Sequence, residues 1–318
     1  MQYIDQIGEV EFPPPYTFPG VTILSFRLDA DLNCLNILCD RVLNIGSLED
    51  RGFEYRPFLP FVDLEILSYP RMENALWPDM GYTSQRECYV RIFVWKFVEF
   101  WGWLIPTMEV ATFCPFIVVD NPLSAFSGRD VLGLPKLLAT FSDFSPPNPF
   151  GAVSTLEFSS FSSTSKATLL PVVTVEESLN LAAAPAPAVG QWPWGDIGSQ
   201  DVDPTLRSLA SSLGLRDQPT LLSVQMKQFR DGAIPPGEQY PTNACYQSIV
   251  QGELTIDNIL EVGELPAAKI IINDYVSVNL AESLGITSGT PIMPRSQHYV
   301  KYDLSYGNVS TLFVNSDS

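Results

Sequence analysis

The stretch with the most chemical promise is Ser127-Gly128-Arg129-Asp130-Val131-Leu132-Gly133-Leu134-Pro135-Lys136-Leu137-Leu138, in which one lysine sits among apolar neighbours. A free lysine amine titrates near ~10.4, so at neutral pH nearly all of it is protonated and unreactive. Apolar surroundings disfavour the ammonium and can lower that value by roughly 3–5 units. A lysine so treated attacks ketones and forms a Schiff base, which makes Lys136 a candidate nucleophile. The same residues also suit an ordinary loop, a Gly-Arg-Asp turn followed by a Pro-Lys bend. Two carboxylates are candidates to accompany the lysine. Glu65 stands in Val62-Asp63-Leu64-Glu65-Ile66, and Glu87 in Gln85-Arg86-Glu87-Cys88-Tyr89-Val90. A carboxylate beside an imine moves protons or orients substrate if its own pKa is raised. On a half-exposed strand either residue is simply an outward charge.

These side chains need elements to position them. Residues 58–69 and 86–97 read as strands carrying Glu65 and Glu87, and 110–119 as a buried strand. Asp120-Asn121-Pro122 then turns into a short helix leading to Gly128. Upstream, stacked prolines at 13–15 dictate an extended lead-in. Asp29 or Asp31 caps a helix with Leu32, Leu35, Cys39, Val42 and Leu43 on one face. Ser-Pro-Pro-Asn-Pro at 145–149 is a turn cluster, and 153–165 suits a hairpin. The Ala/Pro tract and Gln-Trp-Pro-Trp within 181–194 read as a loop that docks on something: a lid, an oligomer arm or an insertion. Asp203-Pro204 opens a helix ended by Gly214. The run 221–231 is β-rich, with Lys227 and Arg230 as candidate cations for an acidic substrate and Gln228 between them. Strands outnumber helices and do not alternate regularly with them, which excludes a doubly wound sheet.

The totals narrow the function classes. The chain has 318 residues, 46% of them hydrophobic, and a formal net charge of −18 from 18 Lys+Arg against 36 Asp+Glu. Such a charge repels phosphate backbones and anionic membrane faces, so neither nucleic acid nor a membrane is expected as a partner. It repels a small carboxylate as well, so an anionic substrate requires a local group of cations. Cys34, Cys39, Cys88, Cys114 and Cys245 follow no disulfide or zinc spacing and read as reduced thiols, mostly in the core. One histidine, His298, cannot build a multi-histidine metal site, and it reads as a surface or interface residue. No Walker, Rossmann or Cys-x-x-Cys pattern is present, so no cofactor and no metal are expected. The first residues lack a basic segment followed by an apolar one, and 110–119 is too short to span a bilayer. The expectation is a cytoplasmic protein.

Gly128-Arg129-Asp130, four residues, then Pro135-Lys136 resembles the active-site segment of the acetoacetate decarboxylase superfamily, which reads Gly-Arg-Glu, four residues, Pro-Lys-Lys. Lys136 matches the family's Schiff-base lysine, and Leu137 stands where its second lysine would be. Glu65 is similar to the first of two family glutamates that line the cavity and Glu87, across a gap, to the second. The strand at 21–26 with Arg27 and Asp29, followed by a helix, resembles the family's amino-terminal unit, although an early family arginine falls on Pro19 or Gly20. The resemblance implies one α+β domain over residues 1–318, built on an antiparallel, cone-like β-barrel with a few peripheral helices and an enlarged Ser/Pro/Ala-rich insertion at about 142–201. It also implies a homo-oligomer. The activity implied is that of a lyase on a small oxo acid, by decarboxylation or by aldol and dehydration chemistry, both open because of Leu137. Arg129, Leu134, Lys227, Gln228 and Arg230 are the expected substrate-binding residues. With the second lysine missing, desolvation by Leu134, Leu138 and barrel residues is the expected way of activating Lys136. The alternative is a non-catalytic barrel holding a small apolar ligand among Leu134, Leu137 and Leu138.

Overall fold

Among the described residues, thirteen strands are hydrogen-bonded into one network. The structure is a computed structural model, and it describes residues 13–146, 148–160, 162–178, 220–232 and 243–315. In chain order the first half holds β1 (Tyr16–Asp29), α1 (Leu32–Val42), α2 (Leu48–Arg51), β2 (Phe53–Pro57), β3 (Phe61–Asn74), β4 (Tyr82–Phe100), β5 (Trp103–Val119) and α3 (Pro122–Asp130). Then come β6 (Lys136–Phe141), β7 (Gly151–Glu157), β8 (Thr168–Glu177), β9 (Thr220–Arg230), β10 (Ala244–Glu264), β11 (Ala268–Ile272), α4 (Leu280–Leu284), β12 (Ser296–Tyr306) and β13 (Ser310–Val314). The loop expected at 181–194 and the helix expected at 203–214 lie outside the described residues.

Seven strands close on themselves in the order β5-β9-β10-β12-β1-β3-β4-β5. Closure leaves this part of the sheet without an unpaired edge. Six of those junctions are antiparallel, whereas β5 meets β9 in parallel over Ala111–Phe113. The antiparallel barrel expected from the sequence is therefore a ring with one parallel seam. A second parallel pairing joins Ile117–Val119 of β5 to Lys136–Leu138 of β6. Parallel neighbours need a crossover rather than a hairpin, and α3 supplies it. β5 thus forks: β9 takes one stretch of its edge and β6 the next. Pro115, which has no N–H to donate, lies between the two paired stretches. Beyond the fork, β6, β7, β8 and β11 continue as a side sheet. Residues 151–157 and 168–177 of the expected insertion are therefore ordinary paired strands of that sheet.

Both faces of the ring are covered, so its strands read as near-continuous apolar runs. Leu24, Phe26 and Leu28 of β1 and Leu64 and Ile66 of β3 face outward, in one core with α1, α4 and the side sheet. The helix α1 is capped by Asp31, whose carboxylate accepts from the Asn33 and Cys34 N–H groups. Its buried residues are Leu35, Leu38 and Cys39, whereas Leu32, expected on that face, is exposed. Ile23, Leu67, Tyr69, Val300 and Tyr302 face inward. The inner face of β1, β3 and β4 also holds charge. Arg27 Nε donates to Asp63 Oδ1 at 2.7 Å and its Nη2 to Oδ2 at 3.0 Å, a two-pronged pair, and Arg91 donates to Glu65. His298, expected at the surface or an interface, is buried opposite Ser25 in the β1–β12 register, near Asp63. No helix among the described residues is long and apolar enough to cross a membrane.

Asp63 is fully enclosed. Burial, the largest single influence, pushes its pKa up, but Arg27, with Arg91 and His298 behind it, outweighs that and holds it below the ordinary carboxylate value. A depressed carboxylate contributes stability above its unfolded pKa near ~3.9 and loses it as pH falls through the folded value. Asp63→Asn should cost about 3–5 kcal/mol in urea unfolding at pH 7, because Arg27 is left buried without its countercharge. Below pH ~4 the gap between variant and parent should narrow. A cost under about 1 kcal/mol at pH 7 would refute the assignment.

Candidate active site

The amine of Lys136 is placed by the β5-α3-β6 crossover. α3 begins at Asn121, whose side chain accepts from the Leu123 and Ser124 N–H groups, with Pro122 in its first turn. Gly128, Arg129 and Asp130 form the last helical turn rather than the loop turn expected. One face of α3 is made of small buried residues, Ser124, Ala125, Ser127 and Gly128. Lys136 lies across that face. A Cβ at Gly128 would stand 2.5 Å from the lysine Cδ and 2.7 Å from its Cε, so only glycine leaves room for the chain. Gly133, at φ +73°, makes the turn into β6, and its Cα faces the Lys227 backbone too closely for a side chain. Lys136 opens β6 and points inward, 5% exposed.

The Lys136 Nζ donates to Glu87 Oε1 at 2.5 Å and to Ser124 Oγ at 2.8 Å. Those bonds use two of its three hydrogens. Glu87 is also enclosed, at 4% exposure, and accepts from Gln85 Nε2 at 3.0 Å and from the Tyr69 hydroxyl. Three donors thus satisfy one buried carboxylate, which makes its charge tolerable away from water. Burial, with Glu87 second, drives the Tyr69 phenol well above its ordinary pKa, and burial does the same to Tyr89. Tyr306 is pushed up to about 12 by burial, against a hydrogen bond with Ser223. These phenols are neutral donors at any physiological pH. Desolvation alone, the activation expected from the sequence, is not the whole setting of the amine, which is ion-paired with a buried carboxylate.

The amine faces a cavity of about 100 Å³ inside the ring. A water needs roughly 10–15 Å³ on this measure, so the space suits about seven to ten heavy atoms. Its walls are largely apolar and aromatic, including Tyr16, Phe18, Met72 and Leu304. β4 contributes Gln85, Glu87, Tyr89 and Arg91, every second residue, all on one face. Arg91 and Lys136 are the two cations among the described lining residues. Burial lowers the Arg91 pKa from its ordinary value and Asp63 works the other way. Reasoning from the sequence passed over Arg91, Ser124 and Tyr69. The period-two run of polar residues from Gln85 to Arg91 was the available signal for Arg91. No group of three or more His, Cys, Asp or Glu side chains among the described residues is placed to hold a metal ion.

The other expected residues separate. Glu65 is enclosed and bound to Arg91, one step further along the ring interior. Leu134 lines the cavity, together with Leu132, but Leu137 and Leu138 are 39% and 52% exposed and lie outside it. Alternation along β6 turns Leu137 away from Lys136, whereas Leu138, on the lysine's side of the strand, lies beyond the cavity lining. Arg129 and Gln228 line a second pocket on the other side of the fork. Arg230 is exposed on β9, and the Lys227 amine stands 5.5 Å from the Phe229 ring centre. Neither lines the Lys136 cavity.

No family profile and no curated protein sequence matches the chain. Solved structures do match it in shape. An acetoacetate decarboxylase-like enzyme from Sphingomonas wittichii RW1 superposes with a TM-score of 0.56 at 14% identity, covering 98% of this chain and 98% of that one. Acetoacetate decarboxylase from Legionella pneumophila gives 0.55 at 12% identity, covering 95% and 88%. The enduracididine biosynthesis enzyme MppR, complexed with pyruvate, gives 0.53 at 13% identity, covering 96% and 93%. The chain has the fold of these proteins.

Gly128→Ala tests the packing of the amine. The added methyl group has no space beside the lysine chain, so the variant should lose about 1–3 kcal/mol in chemical denaturation. A crystal structure of it should show Lys136 displaced from Glu87 and Ser124. An unshifted lysine at full stability would contradict the stated contact.

Proposed function

We propose that this chain is a lyase that forms a Schiff base between Lys136 and a small oxo acid. The observation that carries the reading is a lone, enclosed lysine amine at the wall of an apolar cavity, hydrogen-bonded to a buried glutamate. The fold shared with acetoacetate decarboxylase and with MppR supports it. Glu87 takes the ammonium proton, which frees the nitrogen lone pair to add to the ketone carbon. The proton then leaves with the carbinolamine hydroxyl as water, and a protonated imine remains. In a β-oxo acid the electrons of the carbon–carboxylate bond flow into that imine, carbon dioxide departs, and the enamine is reprotonated at carbon. Water then hydrolyses the imine and restores the amine. Tyr69 and Gln85 hold Glu87 in place. Arg91 is the cavity cation suited to the substrate carboxylate.

A second reading uses the same imine for aldol or dehydration chemistry on a 2-oxo acid. MppR, whose structure holds pyruvate, supports it. So does Leu137, which points away from the cavity and leaves no second lysine there. The two readings differ in which bond to the carbon beside the imine breaks or forms, and they share every protein group.

Borohydride reduction tests the common step. With acetoacetate or pyruvate present, reduction should add the mass of the reduced adduct to the peptide holding Lys136 and abolish activity. Lys136→Ala and Lys136→Arg should take up no label, since a guanidinium stays protonated. Glu87→Gln should still be labelled, with turnover slowed by about 10²–10⁴-fold, the range for loss of a general acid–base group. Labelling of Lys136→Ala as strong as the parent's would sink the proposal. Retention of an apolar ligand with no labelling by any ketone would favour a non-catalytic binding protein.

A further inference from the structure

The second pocket, about 340 Å³, sits where β5 forks, on the opposite side of Lys136 from the cavity. Arg41 enters it from the last turn of α1 and Arg129 from the last turn of α3. No acidic side chain lines it among the described residues, although Asp40 and Asp130 are chain neighbours of the two arginines. That is unusual in a chain with 18 cationic side chains against 36 acidic ones. Neither arginine makes an ion pair with a described residue. Gln225 is a third polar group here. It is 1% exposed, lines this pocket, and its Oε1 has no hydrogen-bond partner, while its Nε2 makes one long bond of 3.4 Å to Ser223 Oγ. Gln225 lies just past Val224, where the pairing of β9 with β5 stops at the fork. A buried amide left incomplete costs free energy unless a ligand or water completes it. Its two ends exchange by a half-turn, so it can offer either a donor or an acceptor.

We infer that this pocket binds the carboxylate of a small oxo acid and delivers it to the Lys136 cavity. The inference rests on the Schiff-base reading and gives the anionic substrate its point of capture. Leu134 and Lys136 line both spaces, so the two adjoin at these residues. Arg129 and Gln228, expected from the sequence at the substrate site, belong to this outer pocket. At long range a net charge of −18 repels a carboxylate. Two guanidinium groups with no acidic neighbour in the pocket reverse the sign locally, and each can bind a carboxylate in the two-pronged manner. A neutral ketone gains nothing from them.

Borohydride trapping with pyruvate and with acetone separates capture from chemistry. In the Arg41→Gln/Arg129→Gln double variant, the pyruvate concentration for half-maximal trapping should rise about 10–100-fold, the loss expected for hydrogen bonds to a charged group. Its dependence on salt should flatten, while saturating trapping and the acetone curve stay at parent levels. An unchanged pyruvate curve overturns the inference, as does an equal rise for acetone, which would mean damage to the lysine itself. Should the parent trap neither ketone, the Schiff-base reading fails, and the pocket is read by titrating Lys136→Ala with pyruvate in calorimetry. Binding that disappears when both arginines are replaced then supports the anion site, and binding that is absent or persists overturns it.

Discussion

The rest of the structure depends on one buried contact, between the Lys136 ammonium and the Glu87 carboxylate. Removing two charges from water costs several kcal/mol for each ion, and their attraction repays this only with good geometry and further hydrogen bonds. The fold supplies both. Gln85 and Tyr69 complete the carboxylate, and Ser124 shares the ammonium. α3 must present a face of small residues, because the lysine methylenes occupy the space a larger side chain would need. The parallel β5–β6 seam follows from the same demand, since only a crossover helix sets α3 beside the first residue of β6.

Charge inside the ring is paired throughout. Arg27 with Asp63, Arg91 with Glu65 and Lys136 with Glu87 follow one another along the inner faces of adjacent strands. Such an interior contributes less stability than apolar packing of equal volume would.

The fork in β5 lies between the two pockets. Pro115 cannot continue a ladder, so the edge of β5 is handed from β9 to β6 across it. On one side of that break lies the enclosed lysine, and on the other a pocket with two arginines and an incomplete amide.

Local chemistry made much of this legible in the sequence. Apolar runs flanked by turn residues marked β3, β4 and β5, since strands covered on both faces need no polar alternation. Asp31 and Asn121-Pro122 marked the helix starts, because capping is a contact between near neighbours. The spacing from Gly128 to Lys136 marked the lysine, since glycine and amine belong to one crossover. What depends on distant pairing was decided by tertiary structure alone. Parity along β6 turned Leu137 away from the amine, and Leu138, although on the lysine's side of the strand, lies outside the cavity when an apolar sleeve around the amine was expected; parity along β4 turned Arg91 inward. Arg129 and Gln228 left the lysine's cavity because the fork stands between, and a fork arises from strands more than a hundred residues apart in the chain meeting one edge. His298 was hidden for the same reason: only the closing of β12 onto β1 covers it. Sequence determines what each segment prefers within a few residues. Closure of the ring decides which side of a strand is inside.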